Sequence, residues 1–408
     1  MRRKTLGPLL LLASLAGCSD AGQDGDTRLA LLAPYTGEHG ATGVNVERSA
    51  SIVETLVKDG GGLPSGSFGM PRRDTANDTP RALRLTSALL ADPAVWGVVG
   101  PSDPGMGAEL DVRTDAGAML LLPGIAVKEL EEKSSNRAVW LGPSANEMGC
   151  VLAQTAYDTG NRRIAVVHDS LAVSSAVAHE VEATLVRYFS TEKATVHLIP
   201  VTPGAGLSSV IAELRAYEPD SIVLSLGTKE AAEVIQDWSV LGSKVRWYLG
   251  SGLLNTDLVR NVPPGALEGA VAVAAAVPEN PNSARFGAAY RARFGDDPFV
   301  SAYYYFDAAV VGVLAMAAAQ QALGTGPETR AEVVRFVGEV ASSPGRRVTW
   351  EELPTALQAI RDGEDIDYQG VTGSLTVTPE GKIIRTNNFD VFHVQNGEIK
   401  LLFHDACT

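Results

Sequence analysis

Side chains able to do chemistry are present in the chain, but their spacing matches no catalytic or metal-binding motif. The six histidines show no His-Glu-x-x-His spacing, and no cysteine pair stands at the separation of a zinc site. The Gly-x-Ser-x-Gly nucleophile elbow and the phosphate-binding loop Gly-x-x-x-x-Gly-Lys-Ser/Thr are both absent from the sequence. Because no nucleophile and base can be paired, we predict a protein that is not an enzyme and that uses no cofactor and no metal.

Length and charge narrow the class of protein further. The chain has 408 residues, 45% of them hydrophobic and 20% charged, which suits a globular protein with two cores. Its formal net charge is −14, and its basic residues are scattered. An acidic surface repels nucleic acid and anionic membranes, so a small-molecule partner is favoured and nucleic acid is excluded.

The first residues have the order of an export signal. Basic residues at 2–4 precede an apolar run over 6–15, which is too short to span a bilayer. Ala16, Gly17 and Cys18 follow, and this ending resembles the lipobox of bacterial lipoproteins. The resemblance implies cleavage before Cys18 and acylation of that residue. The alternative is a plain secretory signal in which the cysteine has no role.

These features predict a signal peptide at 1–17 and a flexible tether at 18–27, which consists mainly of small and acidic residues. The protein would lie in the periplasm or at the cell surface, lipid-anchored to the membrane through Cys18. In Gram-negative bacteria, Asp after the acylated cysteine is associated with retention in the inner membrane. This chain has Ser19 at that position, so the resemblance favours the outer membrane. The other cysteines, Cys150 and Cys407, would be free to pair in an oxidising compartment or to remain separate buried thiols.

Continuous apolar runs alternate with amphipathic stretches from residue 28 onward. Runs of this kind are typical of strands buried on both faces of a parallel sheet. The predicted strands are Leu29–Ala33, Val95–Val99, Ala118–Leu122, Ile164–His168, Thr195–Pro200, Ser221–Leu226, Val245–Leu249 and Gly269–Ala274, with alternating strands at Gly373–Thr378, Phe389–Val394 and Ile399–Phe403.

The intervening stretches show helical spacing of apolar residues. Thr79 before Pro80 predicts an N-cap and first helical position. The alternation of strand and helix indicates an α/β architecture. The predicted helices are Val46–Lys58, one from Thr79 through Leu90, Asn146–Tyr157, Val173–Phe189, Leu207–Tyr217, Lys229–Leu241, Ser283–Phe294, Ser301–Leu323 and Glu352–Arg361.

The order of these features resembles the type I periplasmic solute-binding proteins of the branched-chain amino-acid (Leu/Ile/Val)-binding family. The matching pieces include Leu31–Gly37, Val98–Gly105, Arg163–Asp169, Trp247–Gly252 and, as the most specific, Asp367–Leu375. The resemblance implies two lobes, each a parallel sheet flanked by helices, joined by three crossover strands.

The same resemblance predicts lobe I at 28–141 and 279–345, and lobe II at 142–278 and 346–408. It implies capture of a small molecule by closure of the lobes, for delivery to an ABC importer through a permease partner. The alternative on the same fold is a sensing or regulatory envelope lipoprotein that is not coupled to transport.

Ligands of such folds lie at the carboxyl ends of the parallel strands, beside loops and helix N-termini. In amino-acid binders of the family, a hydroxyl residue and backbone amides hold the ligand carboxylate, and an acidic residue and a tyrosine hold its amine. Taken from the matching positions and from the same strand-end loops, the predicted ligand-binding residues are Tyr35, Thr42, Ser102, Asp103, Gly124, Ile125, Ala126, Asp169, Val173 and Gly252, although Asp103 and Asp169 do not stand at the matching positions.

The chain departs from that pattern at several positions. Thr42 replaces an aromatic residue, Ala126 lacks the hydroxyl of threonine, Val173 replaces a tyrosine, and Gly252 replaces the acidic residue. We therefore expect a ligand other than an ordinary α-amino acid held in the family manner. The alternatives for the remaining candidates are structural: Ser102, Asp103 and Asp169 would cap helices, and Tyr35 would pack on its own loop.

Overall fold

The structure is a computed structural model that describes residues 26–407, except 38, 115–116, 190–192, 203–205, 243, 251, 254, 379–381 and 385–386. The predicted signal peptide, Cys18 and most of the tether lie outside the described residues.

The first part of the described chain builds a parallel six-stranded sheet, with strand order β2-β1-β4-β5-β6 and β3 paired to β1. Together with the helices around it, this sheet forms lobe I. Its elements are β1 Thr27–Ala33, α1 Gly40–Asp59, β2 Phe68–Gly69, β3 Arg72–Asp74, α2 Thr79–Leu90, β4 Val95–Val99, α3 Pro104–Arg113, β5 Met119–Leu122, α4 Lys128–Lys133 and β6 Ala138–Trp140.

The next part builds lobe II, whose described strands form a seven-stranded sheet in the order β16-β15-β11-β10-β9-β7-β8. β7 to β11 are parallel, whereas β15 and β16 are antiparallel and come from the end of the chain. The elements are α5 Ala145–Asp158, β7 Arg163–His168, α6 Ala172–Phe189, β8 Thr195–Pro200, α7 Ser208–Tyr217, β9 Ser221–Ser225, α8 Thr228–Val240, β10 Arg246–Leu249, α9 Thr256–Asn261, β11 Val271–Ala275, β15 Phe389–Gln395 and β16 Glu398–Asp405.

The segment between β11 and β15 returns to lobe I. Its long helix α11 packs against α1, α12 and α13, and most of its side chains are buried. Within the described ranges, α11 is the helix long and apolar enough to cross a membrane, and it is instead the core of lobe I. The elements are α10 Pro281–Phe294, α11 Val300–Leu323, α12 Pro327–Val340, β12 Arg346–Val348, a 3-10 turn Trp350–Glu352, α13 Leu353–Arg361, β13 Ile366–Gly370 and β14 Gly373–Ser374.

The boundary predicted at residue 346 is therefore wrong. Residues 346–378 and Ile383 belong to lobe I, whereas the later described strands, β15 and β16, belong to lobe II. The reason is a buried carboxylate on α11, Asp307, which accepts hydrogen bonds from Tyr368 Oη (2.7 Å), Val371 N (2.9 Å) and Thr372 Oγ1 (2.6 Å). These bonds hold the turn after β13 against lobe I.

Alternation along each strand sends side chains to both faces of its sheet, as expected for strands covered by helices. In β1, Leu29, Leu31 and Ala33 enter the core beneath α11, while Ala30 and Leu32 enter the opposite core with α2 and α3. The sheet of lobe II divides its side chains between α5 and α6 on one face and α7 and α8 on the other.

The chain crosses between the lobes near 141–145, 275–281 and 383–389, in agreement with the three crossovers implied by the family resemblance. Hydrogen bonds join these segments. Ser144 N donates to Asn387 Oδ1 (2.9 Å), and Ala276 N donates to Asn388 O (3.0 Å). Tyr304 of α11 donates its hydroxyl to Ala276 O at 3.3 Å. The crossovers therefore form one connected hinge.

The fold class predicted from the sequence is confirmed, and each predicted strand and helix overlaps an observed element. The largest differences are α1, which begins at Gly40 instead of Val46, and β14, which ends at Ser374 instead of Thr378. One correction concerns the start of α2. Asp78, not Thr79, is its N-cap, because the Asp78 side chain accepts a hydrogen bond from Arg81 N. The elements outside the predicted strand and helix ranges are β2, β3, α3, α4, β6, α9, α12, β12 and β13, most of which are short.

Cys150 and Cys407 form a disulfide with a Cα–Cα distance of 5.6 Å. Cys150 is buried in α5, and Cys407 follows β16, so the bond fastens the end of the chain to lobe II. Of the two possibilities that the sequence left open, the structure contains the pair.

We predict that the double variant Cys150→Ser/Cys407→Ser loses about 2–4 kcal/mol of unfolding free energy, because its unfolded chain is no longer constrained. Urea unfolding followed by circular dichroism measures the loss. The unsubstituted protein in reductant should unfold at the same urea concentration as the variant. Equal midpoints of oxidised protein and variant would contradict a stabilising role.

Candidate functional site

The candidate site lies where the carboxyl ends of the two parallel sheets face each other across the hinge. Loops after β1, β4 and β5 extend from lobe I, and loops after β7, β9 and β10 extend from lobe II. Helices α3 and α6, which begin at two of these loops, approach each other from opposite lobes. The geometry is that of a cleft whose walls are strand-end loops and helix N-termini.

Close backbone contacts hold the loops of lobe I together. A Cβ atom at Gly124 would collide with the backbone of Ser102, and one at Gly142 would collide with the backbone of Gly124. Glycine is therefore required at both positions, since no larger residue leaves room for the neighbouring loop. Gly124 sets the spacing of two strand-end loops and has no side chain to contribute.

Ser102 is half-buried and lies beside a buried tyrosine of α11. The Ser102 amide and hydroxyl donate to the Tyr305 hydroxyl, which itself donates to Leu32 O at 3.0 Å. Burial raises the pKa of Tyr305, and the bonds from Ser102 only partly oppose that shift. Tyr305 thus links the loop after β4, which contains Ser102, to the end of β1.

The two acidic candidates are engaged in local capping. Asp103 accepts a hydrogen bond from Met106 N (2.7 Å) as the N-cap of α3. Asp169 accepts from Leu171 N (2.9 Å) in the turn before α6. Asp103 therefore caps a helix as the structural alternative expected, whereas Asp169 stabilises the turn before α6 and is not shown to cap that helix.

The loop after β1 is held by a carboxylate that the sequence did not identify. Asp74, the last residue of β3, accepts from Tyr35 N (2.8 Å), Thr36 Oγ1 (2.7 Å), Ala76 N (2.9 Å) and Arg81 Nη2 (2.9 Å). Burial, the largest influence, raises the pKa of Asp74. The hydrogen bonds from Thr36, Ala76 and Tyr35 and the charge of Arg81 outweigh burial, so the pKa is lowered.

Tyr35 itself turns into lobe I. Its ring packs on the core, and its buried hydroxyl has no hydrogen-bond partner within the described chain. Burial raises the pKa of this hydroxyl. Thr42 is half-buried in the first turn of α1, where its amide donates to His39 O at 3.0 Å. Packing therefore describes Tyr35 better than ligand contact does.

Ile125 and Ala126 belong to the hinge. Ile125 packs against the core of lobe II, whereas the Ala126 side chain is buried in the core of lobe I. The Ala126 backbone bonds to the first crossover, accepting from Ala145 N and donating to Pro143 O, both at 2.8 Å. A hydroxyl at residue 126 would point into an apolar core, so the absence of threonine there has a structural reason.

On lobe II, the candidate positions other than Asp169 lack polar side chains. Val173 is half-buried against the core, and Leu171 beside it is one of the exposed large apolar residues. Gly252 has a φ of 88°, a conformation that L side chains rarely adopt, and open space surrounds it. An acidic side chain is therefore disfavoured at residue 252 in this loop conformation.

The structure thus brings Ser102, Gly124 and Ile125 into adjoining loops of one wall, and Asp169, Val173 and Gly252 into loops of the other. Sequence analysis missed Asp74, because the three-residue strand that ends at this residue contains no apolar side chain by which it could be predicted. In the described ranges, no group of three or more His, Cys, Asp or Glu side chains is arranged to hold a metal ion.

We predict that Asp74→Ala destabilises lobe I by about 1–3 kcal/mol, because backbone N–H groups of the first cleft loop lose a charged acceptor. Urea unfolding measures the loss. Asp237→Ala, which removes an exposed carboxylate from α8, serves as the matched control and should change stability little. Equal losses in the two variants would contradict the anchoring role.

The same carboxylate predicts a pH dependence. Since folding lowers the pKa of Asp74, its stabilisation is present at neutral pH and is lost as the pH falls below the ordinary value of 3.8. Asp74→Asn should therefore show a smaller loss of stability on acidification than the unsubstituted protein. Identical pH profiles would rule out this contribution.

Comparisons with known proteins agree with this geometry. A family model described as periplasmic binding protein matches residues 26–396. A Leu/Ile/Val-binding protein homolog from Brucella melitensis is 24% identical over 319 residues, covering 78% of this chain and 84% of the relative.

Solved structures share the fold. A leucine-binding protein from Thermotoga maritima superposes with a TM-score of 0.69 at 16% identity, covering 93% of this chain and 98% of that one. A solute-binding protein of an ABC transporter from R. palustris, in complex with benzoate, gives 0.65 at 17% identity, with 94% and 97% covered. Because the family model spans nearly all described residues, the chain belongs to the periplasmic binding protein family, whose members bind solutes outside the cytoplasm.

Proposed function

We propose that this chain captures a small organic solute between its lobes and delivers it to an ABC importer, without chemical change to the solute. The observation that supports this most directly is the pair of strand-end loop clusters facing each other across three hydrogen-bonded crossovers. Such a hinge lets two rigid lobes close on a ligand and open again to release it.

We propose further that the solute is not an α-amino acid held by its ammonium group. An unpaired buried charge costs roughly 3–5 kcal/mol, which amounts to more than two orders of magnitude in affinity. Of the cleft carboxylates, Asp103 and Asp169 cap their own loops, and Gly252 stands where the family places an acid.

A ligand with an apolar body and an anionic or neutral polar end suits the walls better. Leu171 and Val173 offer apolar surface on lobe II, while the N-terminus of α3 offers N–H groups on lobe I. The benzoate complex of the R. palustris protein is an example of such a ligand bound by this fold.

Calorimetric titration tests the ligand class. We expect leucine, valine and glutamate to bind no more tightly than micromolar, and an aromatic or aliphatic carboxylate of the right size to bind more tightly. Mass spectrometry of small molecules that co-purify with the protein provides an independent readout. Sub-micromolar binding of any of the three amino acids would refute the proposed class, although solute capture itself would stand.

The second candidate is a ligand-sensing or regulatory envelope protein on the same fold. The departures from the amino-acid site at Val173 and Gly252 favour it, since they separate this chain from the transport members that define the site. Uptake of the identified ligand by cells with and without the gene separates the two: lost uptake supports import, and unchanged uptake supports sensing.

We also propose that the protein is exported and anchored through an acylated Cys18, with outer-membrane placement in a Gram-negative host. The basic, apolar and Ala-Gly-Cys order of residues 2–18 supports this. Two or more acyl chains would hold the protein firmly, because each buried methylene contributes about 0.8 kcal/mol.

We predict that cells fed a radiolabelled fatty acid label the protein and that Cys18→Ser abolishes the label. The buried Cys150 serves as the control position, since Cys150→Ser should leave acylation unchanged. Label that persists in Cys18→Ser would refute the anchor, and fractionation of the two membranes tests the placement.

A further inference from the structure

The sheet of lobe II ends in a long exposed strand. β16 is the outermost strand of that sheet and pairs on one side only, with β15. The disulfide at Cys407 fastens the chain just beyond it to α5. Its free edge is therefore held in place and presents unpaired backbone groups to solvent.

This edge carries an unusual amount of exposed apolar surface. Leu401, Leu402 and Phe403 are consecutive and are 48%, 44% and 45% exposed. β16 has a β-bulge at Leu402, so Leu401 lies beside Phe392 and Phe403 lies beside Val391, on opposite faces of the sheet. Apolar side chains thus flank the free edge from both faces, between the charged residues Lys400 and Asp405.

The opposite edge of the same sheet shows that usual protection. β8 ends at Pro200, which has no N–H to donate, and its apolar side chains are buried or half-buried. Its polar side chains are paired within the lobe: Thr195 with the Tyr217 hydroxyl (2.9 Å) and His197 with Glu213 (2.7 Å). The exposure at β16 is therefore a property of that edge and is not shared by the sheet as a whole.

A second copy of the chain would fit this edge by antiparallel pairing about a two-fold axis perpendicular to the sheet. Opposed residues must then lie on the same face. Lys400 and Asp405 both lie on the face of α5 and α6, because their partners in β15 are His393 and Phe389. Leu401 and His404 both lie on the other face.

Near the centre of β16, two registers place opposed residues on the same face of the joined sheet. The charges of the opposed side chains distinguish between these two registers. A two-fold axis between Leu401 and Leu402 would place Glu398 opposite Asp405, and the two like charges would repel. An axis between Leu402 and Phe403 places Lys400 opposite Asp405 twice and brings Leu402 against Phe403. The second register pairs opposite charges and covers the apolar residues.

We propose that β16 is a self-association site, at which two copies of this chain pair edge to edge with Lys400 of each opposite Asp405 of the other. The joined sheets would run continuously through the dimer. The cleft lies at the carboxyl ends of the parallel strands, so the pairing leaves solute capture free to operate in each copy.

Sedimentation velocity of the full chain over a wide concentration range tests the proposal. We expect a dimer that dissociates on dilution. Lys400→Asp and Asp405→Lys should each raise the dimer dissociation constant by about tenfold, because two symmetry-related pairs become repulsive. The combined variant Lys400→Asp/Asp405→Lys should restore the original constant, since the opposite charges are exchanged but still face each other.

Leu402→Lys should abolish the dimer, whereas Val240→Lys, at an exposed apolar residue on α8, should leave it intact. Circular dichroism confirms that each variant is folded. A monomer at every concentration would overturn the proposal, including the case in which β16 instead pairs with a different protein. A dimer that is insensitive to the charge reversals would overturn the assigned register and with it the proposed site.

Discussion

The buried carboxylate of Asp307 determines how the last quarter of the chain is shared between the lobes. Burial raises its pKa, and hydrogen bonds from Thr372, Tyr368 and Val371 oppose that shift. A charge in the interior is tolerated only when such donors surround it. Because those donors belong to the turn after β13, the segment before that turn must remain with α11. The described chain is therefore still part of lobe I at Ile383 and is part of lobe II from Phe389 onward.

Because the chain crosses at that point, the returning segment covers the two lobes differently. Lobe I is closed over by α11 to α13 and by the small sheet of β12, β13 and β14, all of which come from the returning chain. Lobe II receives only a hairpin, which adds two antiparallel strands to one side of its sheet. The disulfide then holds the end of that hairpin. The exposed outer strand is thus a direct consequence of the place at which the chain crosses.

The cleft walls owe their shape to backbone contacts more than to polar side chains. Gly124 and Gly142 allow neighbouring loops to touch, and Asp74 and Tyr305 hold two further loops from behind. Asp103 accepts a hydrogen bond from the first turn of α3, and Asp169 accepts one from the turn before α6. A solute in this cleft would therefore meet mainly N–H groups, hydroxyls and apolar side chains, which is the chemistry of an anionic or weakly polar ligand.

The sequence by itself determined the α/β class, the order of the long elements and the family, because buried parallel strands need continuous apolar runs such as Val95–Val99 and Ser221–Ser225. It also located the loops of the cleft. It did not determine the lobe of residues 346–378, the pairing of Cys150 with Cys407, or the anchoring role of Asp74. Each of these depends on which distant segments meet. Only the tertiary structure decided them. The local sequence pattern indicates whether a residue is buried or caps a helix, but it does not indicate which distant residue it contacts.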